Sequence, residues 1–268
     1  MPPSRAQNVD RIRPLTPARV RAIFQQLGPR PPVEDSSVAG LEPTRDRLMA
    51  ELALCTGLRR LEVRSLTRWQ IEELVTTVRR DGLEGDTAVP LELRRTKGQR
   101  AGKVFVPVWL IHSLHWYIRF ERQGAFVSAG GRIEPTALFL NHQRNLANDN
   151  AGLPITDDTI SRVFREACIK AGFSRQPVRI HPLDGTPKTF IEAQHTYHDL
   201  RHTFAVWLYL AEETAGNAAP WKTVQTRLRH AQLSTTMSTY LSTLDDYKAE
   251  IGRNMREFHR EVRERVGL

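Results

Sequence analysis

Three short segments of this 268-residue chain hold side chains suited to chemistry on a phosphodiester. His198-Asp199-Leu200-Arg201 sets an imidazole and a guanidinium three residues apart, on one face if the segment is helical. A guanidinium grips two phosphate oxygens at once, and an imidazole can hydrogen-bond or move a proton near neutral pH. Thr56-Gly57-Leu58-Arg59-Arg60-Leu61-Glu62-Val63 ends one helix at a glycine and starts another at once, which projects Arg59 from a constrained bend with Glu62 three residues on. Taken alone, that segment reads equally well as a surface arginine beside a local acid. Arg227-Leu228-Arg229-His230 is followed by a Ser/Thr-rich stretch that leads to Tyr240. A lone tyrosine is ordinarily an amphipathic packing residue. His195, His198 and His202 also invite a metal reading, since the last two lie one helical turn apart, but no glutamate follows His198 as a metalloprotease requires. No glycine-rich phosphate loop points to a nucleotide.

These side chains need elements to hold them. A helix opens at Leu15-Thr16-Pro17 with a capping threonine and a first-turn proline, carries Val20, Ile23, Phe24 and Leu27 on one face, and stops at Gly28. Leu48, Leu52 and Cys55 mark a second helix that ends near Gly57. Val89, Leu91 and Leu93 alternate with other residues, as do Val104, Val106 and Val108 after a glycine-containing turn, and together they predict a β-hairpin. Helical spacing returns over 109 to 120, and again from the capping Thr156 through Ile160, Val163, Phe164 and Ala167 to a stop at Gly172. Residues 121 to 136, 141 to 154 and 173 to 195 read as loops. The expected architecture is mainly α with a small antiparallel β-sheet, an α+β chain.

Charge narrows the partner. Lys and Arg number 39 against 30 Asp and Glu, giving a net charge of +9 and a sequence pI near 10.0. That balance favours a polyanion, nucleic acid first and membrane surface second, although charge alone does not decide it. Cys55 and Cys168 sit in apolar helical patterns without CxxC spacing and read as buried, reduced packing residues. No stretch approaches the ~18 apolar residues of a membrane span, and no apolar core follows the basic N-terminus, so the expected location is cytoplasmic.

In their order and spacing the three segments resemble the tyrosine recombinases of the phage integrase family. They match a Thr-Gly-Leu-Arg-x-x-Glu box at 56 to 62, a His-x-x-Arg box at 198 to 201, and a Leu-x-His…Thr-Thr…Tyr box at 228 to 240. Ala137-Leu138-Phe139 ahead of Ile155-Thr156, and the Thr96-Lys97-Gly98 turn ahead of Val106-Pro107, fit the same pattern. By composition the polar, proline- and arginine-containing stretch over 1–14 reads as a flexible basic arm, and Ile251, Met255, Phe258, Val262 and Val266 at helical intervals predict an amphipathic helix over 245–268. The resemblance implies a catalytic domain over 15–244. It implies DNA cleavage and rejoining through a 3′-phosphotyrosine, with no metal, ATP or other cofactor. Arg59 and Arg201 would bind the phosphate, His198 and His230 would contact it, Lys97 would be the hairpin lysine, and Tyr240 the nucleophile. Tyr117, Tyr197, Tyr209 and Tyr247 compete for that last role, with Tyr247 as the fallback.

The implied partners are double-stranded DNA and further copies of the chain in a synaptic tetramer, with the C-terminal helix as candidate docking element. The same helix could equally pack on its own domain. Two further readings stand beside the recombinase, a non-catalytic DNA-binding protein of this fold and a DNA-relaxing enzyme of the same chemistry. The chain departs from the family pattern in four places. Arg229 stands where a glycine is expected before the histidine, residues 173–195 and 211–220 look extended, and too few residues precede the second helix for the family's additional N-terminal core-binding domain, which is expected to be absent.

Overall fold

Leu15 and Thr16 are buried although they precede the first helix of the described residues, because the chain already packs where they lie. Thr16 then caps α1 (Pro17–Gln25), accepting from the Arg19 N–H at 3.4 Å, and Pro17 takes a position whose N–H would be unpaired in any case. Val20, Ile23 and Phe24 form its buried face. The computed structural model describes residues 14–32, 43–85, 87–93, 102–131, 133–141, 150–180 and 185–230, with 244, 247 and 248.

The helices that follow are α2 (Arg45–Thr56), α3 (Arg60–Arg64), α4 (Arg68–Asp81), α5 (Val108–Tyr117), α6 (Gln123–Ser128), α7 (Asp157–Lys170), α8 (Tyr197–Thr214) and α9 (Pro220–Leu228). Leu48, Met49, Ala50, Leu52 and Ala53 are all buried on α2, so it is enclosed on every side rather than amphipathic. It packs against α5, α7 and α8 and forms the axis of the fold. Gly57 ends it at φ 66°, and a Cβ there would meet the Phe204 ring on α8 at 2.6 Å. Glycine at this position therefore serves both the left-handed turn and the close approach of α8.

Between α4 and α5 run β1 (Ala88–Leu93) and β2 (Gly102–Pro107), antiparallel with Val89 opposite Val106 and Leu91 opposite Val104. All four are buried, so the alternation in the sequence marks the face turned to the core. Val108, which the alternation places in the strand, instead begins α5, and the preceding Pro107 sits at the helix N-cap. The 121–136 stretch is not a loop at its start. From Ile118 to Arg122 the chain makes a π-helical turn that carries α5 straight into α6. Ile118, Arg122 and Ala125 are buried, and the segment stays helical through Gly124 to Ser128, ahead of Gly130 and Gly131. α4 gives no break in the sequence pattern that isolates it, yet its Thr67 capping box and its Ile71, Leu74, Val75 and Val78 face are regular.

The sheet content is three separate two-stranded ladders among the described residues rather than one sheet. Two of them occupy 173–195, where β3 (Ser174–Arg175) pairs with β6 (Glu192–Ala193) and β4 (Val178–Ile180) with β5 (Pro187–Thr189). Strands of two or three residues are too short to show an alternating pattern, which is why the stretch reads as loop. The 211–220 extension begins as α8, which runs on to Thr214, and ends at Pro220, the first residue of α9. Cys168 is buried and Cys55 half-buried, both as free thiols. Among the described residues no helix is long and apolar enough to cross a membrane. The expected basic arm lies outside the described residues except for Pro14, which is buried, as does all of the C-terminal helix except Tyr247 and Lys248.

Arg122 is the largest fully buried side chain. Its guanidinium donates to the carbonyls of Pro135, Ala137 and Leu138 and to Glu134 Oε1 at 2.6 Å, pinning the segment that delivers Phe139 to the core. Arg122→Met should leave these buried acceptors unpaired and lower the unfolding free energy by about 3–5 kcal/mol, measured by urea titration. An unchanged midpoint would show that the segment is held by something else.

Candidate active site

The second segment lies in the first turn of α8. Thr196 caps that helix, and its N–H donates to Asp199 Oδ2 at 2.8 Å in a reciprocal capping arrangement. This fixes the turn that carries His198 and Arg201. Arg201 is only 2% exposed. Its Nη1 donates to the Gly57 carbonyl, while its Nη2 donates to the Leu228 carbonyl at 2.6 Å and to His230 Nε2 at 3.3 Å. One guanidinium thus gathers the ends of α2 and α9, which are 171 positions apart (228 less 57), onto the start of α8.

The first segment turns at Gly57 and presents Arg59 as the N-cap of α3, in an extended conformation at φ −75° and ψ 155°. Arg59 is therefore at the mouth of the helix rather than on its side. Glu62 reaches back to it, Oε2 accepting the Arg59 N–H at 2.7 Å and Oε1 accepting Nη1 at 3.2 Å. Burial works to raise the Glu62 pKa, but the Arg59 N–H bond and the charges of Arg229, Arg59 and Arg201 outweigh it and hold the carboxyl below its ordinary value. The carboxylate stays ionised among arginines.

In the third segment α9 ends at Leu228 and Arg229 adopts φ 57° and ψ 38°, the only positive φ of a non-glycine residue among those described. The expected glycine would have met that conformation without strain. The turn is closed by the His230 N–H donating to the Gln225 carbonyl at 3.1 Å and by Gln225 Nε2 donating to the His230 carbonyl at 3.3 Å. His230 is thereby presented to Arg201 despite the substitution.

Four of the expected site residues come together. Arg59 and His198 line one open cavity of about 720 Å³, with Arg60, Arg165 and Tyr197 on its walls. Arg201 and His230 are in contact, Arg201 acts electrostatically on His198, and His198 in turn acts on His230. Burial and then the Arg201 and Arg59 charges depress His230 from the ordinary 6.5 to about 4. Burial first, then Arg201, also lowers His198, with Asp199 opposing. His202, edge-on to His198 with ring centroids 4.5 Å apart, is lowered to about 4 by burial and by His198. At neutral pH these imidazoles are uncharged, so a basic nitrogen sits in a field set by guanidinium groups. An arriving anion would offset that field.

Lys97 and Tyr240 lie outside the described residues. The other tyrosines can be placed. Tyr117 and Tyr197 are buried, with hydroxyls engaged by the Leu140 N–H and the Met49 carbonyl, and burial pushes both pKa values far up. Tyr209 sits well along α8, its ring 4.2 Å from that of Trp221 and its hydroxyl donating to Glu213. Tyr247, the fallback, is 2% exposed; its hydroxyl donates to the Leu15 carbonyl at 3.0 Å and accepts from Trp207 Nε1. It is a packing residue and is removed as a candidate nucleophile. His195 is buried and accepts from Arg19 at 3.3 Å, and no group of three His, Cys, Asp or Glu among the described residues is arranged to hold a metal ion.

Two contributions escaped the sequence. Glu62 read only as a local acid beside Arg59, and Arg229 only as a missing glycine, yet they form a 2.6 Å ion pair. No local spacing signals a pair 167 positions apart. Asp199 was legible in principle, three residues after a threonine at a helix start.

The Phage integrase family matches the chain over residues 34–246. In fold the chain is similar to XerA recombinase, with a TM-score of 0.53 and 19% identity over 91% of this chain and 65% of that one. It is likewise similar to the XerH site-specific recombinase bound to a palindromic difH substrate in a post-cleavage complex, with a TM-score of 0.52 and 16% identity over 90% of this chain and 53% of that one. The chain thus spans less than two thirds of each of those proteins. None of the curated proteins is significantly similar in sequence.

The depressed histidines set a pH dependence. Between the ordinary 6.5 and about 4 the unfolded chain binds more protons at His202 and His230 than the folded one does. Stability that is fully present above pH 6.5 is therefore lost as pH falls through that window. The melting temperature should fall between those limits and fall less in His202→Gln, followed by scanning calorimetry in stepped buffers. Identical profiles for the two proteins would show that His202 is not held uncharged.

Proposed function

Because the chain belongs to the phage integrase family, we infer that it is a site-specific recombinase, breaking and rejoining duplex DNA through a covalent link to Tyr240. The observation that carries this reading is the buried Arg201, which ties the Gly57 turn ahead of Arg59 and the Leu228-Arg229-His230 turn to the start of α8, beside a cavity that Arg59 and His198 line. The XerH relative is described in a post-cleavage complex with its substrate, and the present chain is given the same class of reaction.

The chemistry follows from the residue types. The Tyr240 oxygen attacks the scissile phosphorus, the bond from phosphorus to the 5′ oxygen breaks, and a 3′-phosphotyrosine and a free 5′ hydroxyl result. A tyrosine with an ordinary pKa near ~10 must lose its proton to attack, and neutral His198 is the base that receives it. Negative charge grows on the non-bridging oxygens, where Arg59, Arg201 and His230 meet it. A proton for the leaving 5′ oxygen comes from Lys97 on the β1–β2 turn. One phosphodiester is exchanged for another of similar energy, so a 5′ hydroxyl from a second strand reverses the step without an energy source. That exchange requires more than one copy of the chain on DNA, and the C-terminal helix is the element proposed to join them.

The test uses a pool of nicked duplex oligonucleotides of random sequence, from which covalent adducts are recovered on a denaturing gel. Wild-type protein should give an adduct that Tyr240→Phe abolishes and Tyr247→Phe retains, while Arg59→Gln slows its formation by about 10²-fold or more. An adduct that survives Tyr240→Phe would overturn the nucleophile assignment. DNA binding with no adduct from wild type would favour a non-catalytic DNA-binding protein instead.

A further inference from the structure

Arg229 occupies a backbone conformation that an L side chain adopts only at a cost, so its side chain must make contacts that offset the strain. Two such contacts exist. Its Nη2 donates to Glu62 Oε2 at 2.6 Å, with the two side chains only 12% and 8% exposed, so the pair is poorly screened. That same carboxylate oxygen accepts the Arg59 N–H, and the other oxygen accepts the Arg59 guanidinium. Meanwhile the Arg229 stem lies across the foot of the hairpin, where a Cβ on Gly102 would meet Arg229 Cδ at 2.5 Å and Cγ at 3.4 Å. The missing side chain at 102 and the extra one at 229 are complementary in volume. Arg229 Nη1 also donates to the Arg227 carbonyl at 3.3 Å, which fixes the direction of the guanidinium.

We propose that Arg229 is a positioning residue of the recombinase site: it holds Glu62, and through Glu62 Arg59, and it clamps the foot of the β1–β2 hairpin beside them. The assignment rests on the recombinase reading for its effect on chemistry. A glycine at this position would relax the backbone but remove the hydrogen-bonded Arg229 partner from Glu62 and the clamp from the hairpin foot. Arg229 belongs to the same turn as His230, so a single residue couples the three parts that must meet one phosphate.

Three variants test this. Arg229→Gly suits φ 57° and should fold. On a nicked duplex recovered from the random pool, its single-turnover cleavage at saturating DNA should fall about 10-fold or more, because small misplacements of reacting groups carry penalties of that order. Its DNA dissociation constant should stay within about twofold, and Arg229→Lys, which keeps the charge, should recover part of the rate. Cleavage at the wild-type rate, or a loss confined to DNA affinity, would overturn the proposal, the second outcome making Arg229 a plain phosphate contact. Independently of any DNA, Gly102→Ala should lower the melting temperature by about 2–4 °C in the wild type and by less than about 1 °C beside Arg229→Gly. Equal shifts in the two backgrounds would overturn the clamp. Should the wild type give no adduct, the recombinase reading fails by itself, and the melting cycle still decides whether Arg229 holds the hairpin.

Discussion

Everything at the site depends on one desolvated guanidinium. Arg201 is buried to 2% exposure, and its burial is tolerable only because backbone carbonyls from two distant turns point their lone pairs at it. Those carbonyls, at Gly57 and Leu228, are the last acceptors of α2 and α9, groups that a helix end leaves without an internal partner. Arginine and helix ends therefore satisfy one another. The geometry also requires α8 to come close to the end of α2, which Gly57 permits by offering no Cβ to Phe204. A structural requirement and a chemical one are met by the same contact.

The electrostatics follow from that arrangement. Arg59, Arg201 and Arg229 converge within reach of a single carboxylate, Glu62, so positive charge exceeds negative before any ligand arrives. Burial first, and this excess after it, lowers the pKa of His198 and His230, which resist protonation there. Such a site is organised in advance for a group whose negative charge grows during reaction, since the donors need not reorient when it does.

Much of the fold was legible because its signals are local. Thr16 with Pro17, Thr156, Gly57 and Gly172 announce helix ends by their own chemistry, and Val89, Leu91, Val104 and Val106 show their buried face by alternation. Where a boundary depends on tertiary packing, the pattern misled. Gly124 sits in a helix with Arg122 and Ala125 buried around it, and Val108 starts a helix with Pro107 at its N-cap position. The site divides in the same way. Arg59, His198, Arg201 and His230 were visible as short motifs, whereas the roles of Glu62 and Arg229 toward each other exist only once the chain has folded.

Leu15 has a consequence of a different kind. Its N–H donates to the Thr203 hydroxyl on α8 and its carbonyl accepts from the Tyr247 hydroxyl, so the backbone of one residue is tied to side chains 188 and 232 positions along the chain. The described fold is in this sense a closed circuit. Fraying at one end cannot be independent of fraying at the other, because release of Leu15 strips a partner from both Thr203 and Tyr247. The two ends should open as one cooperative unit, with α8 as their common anchor.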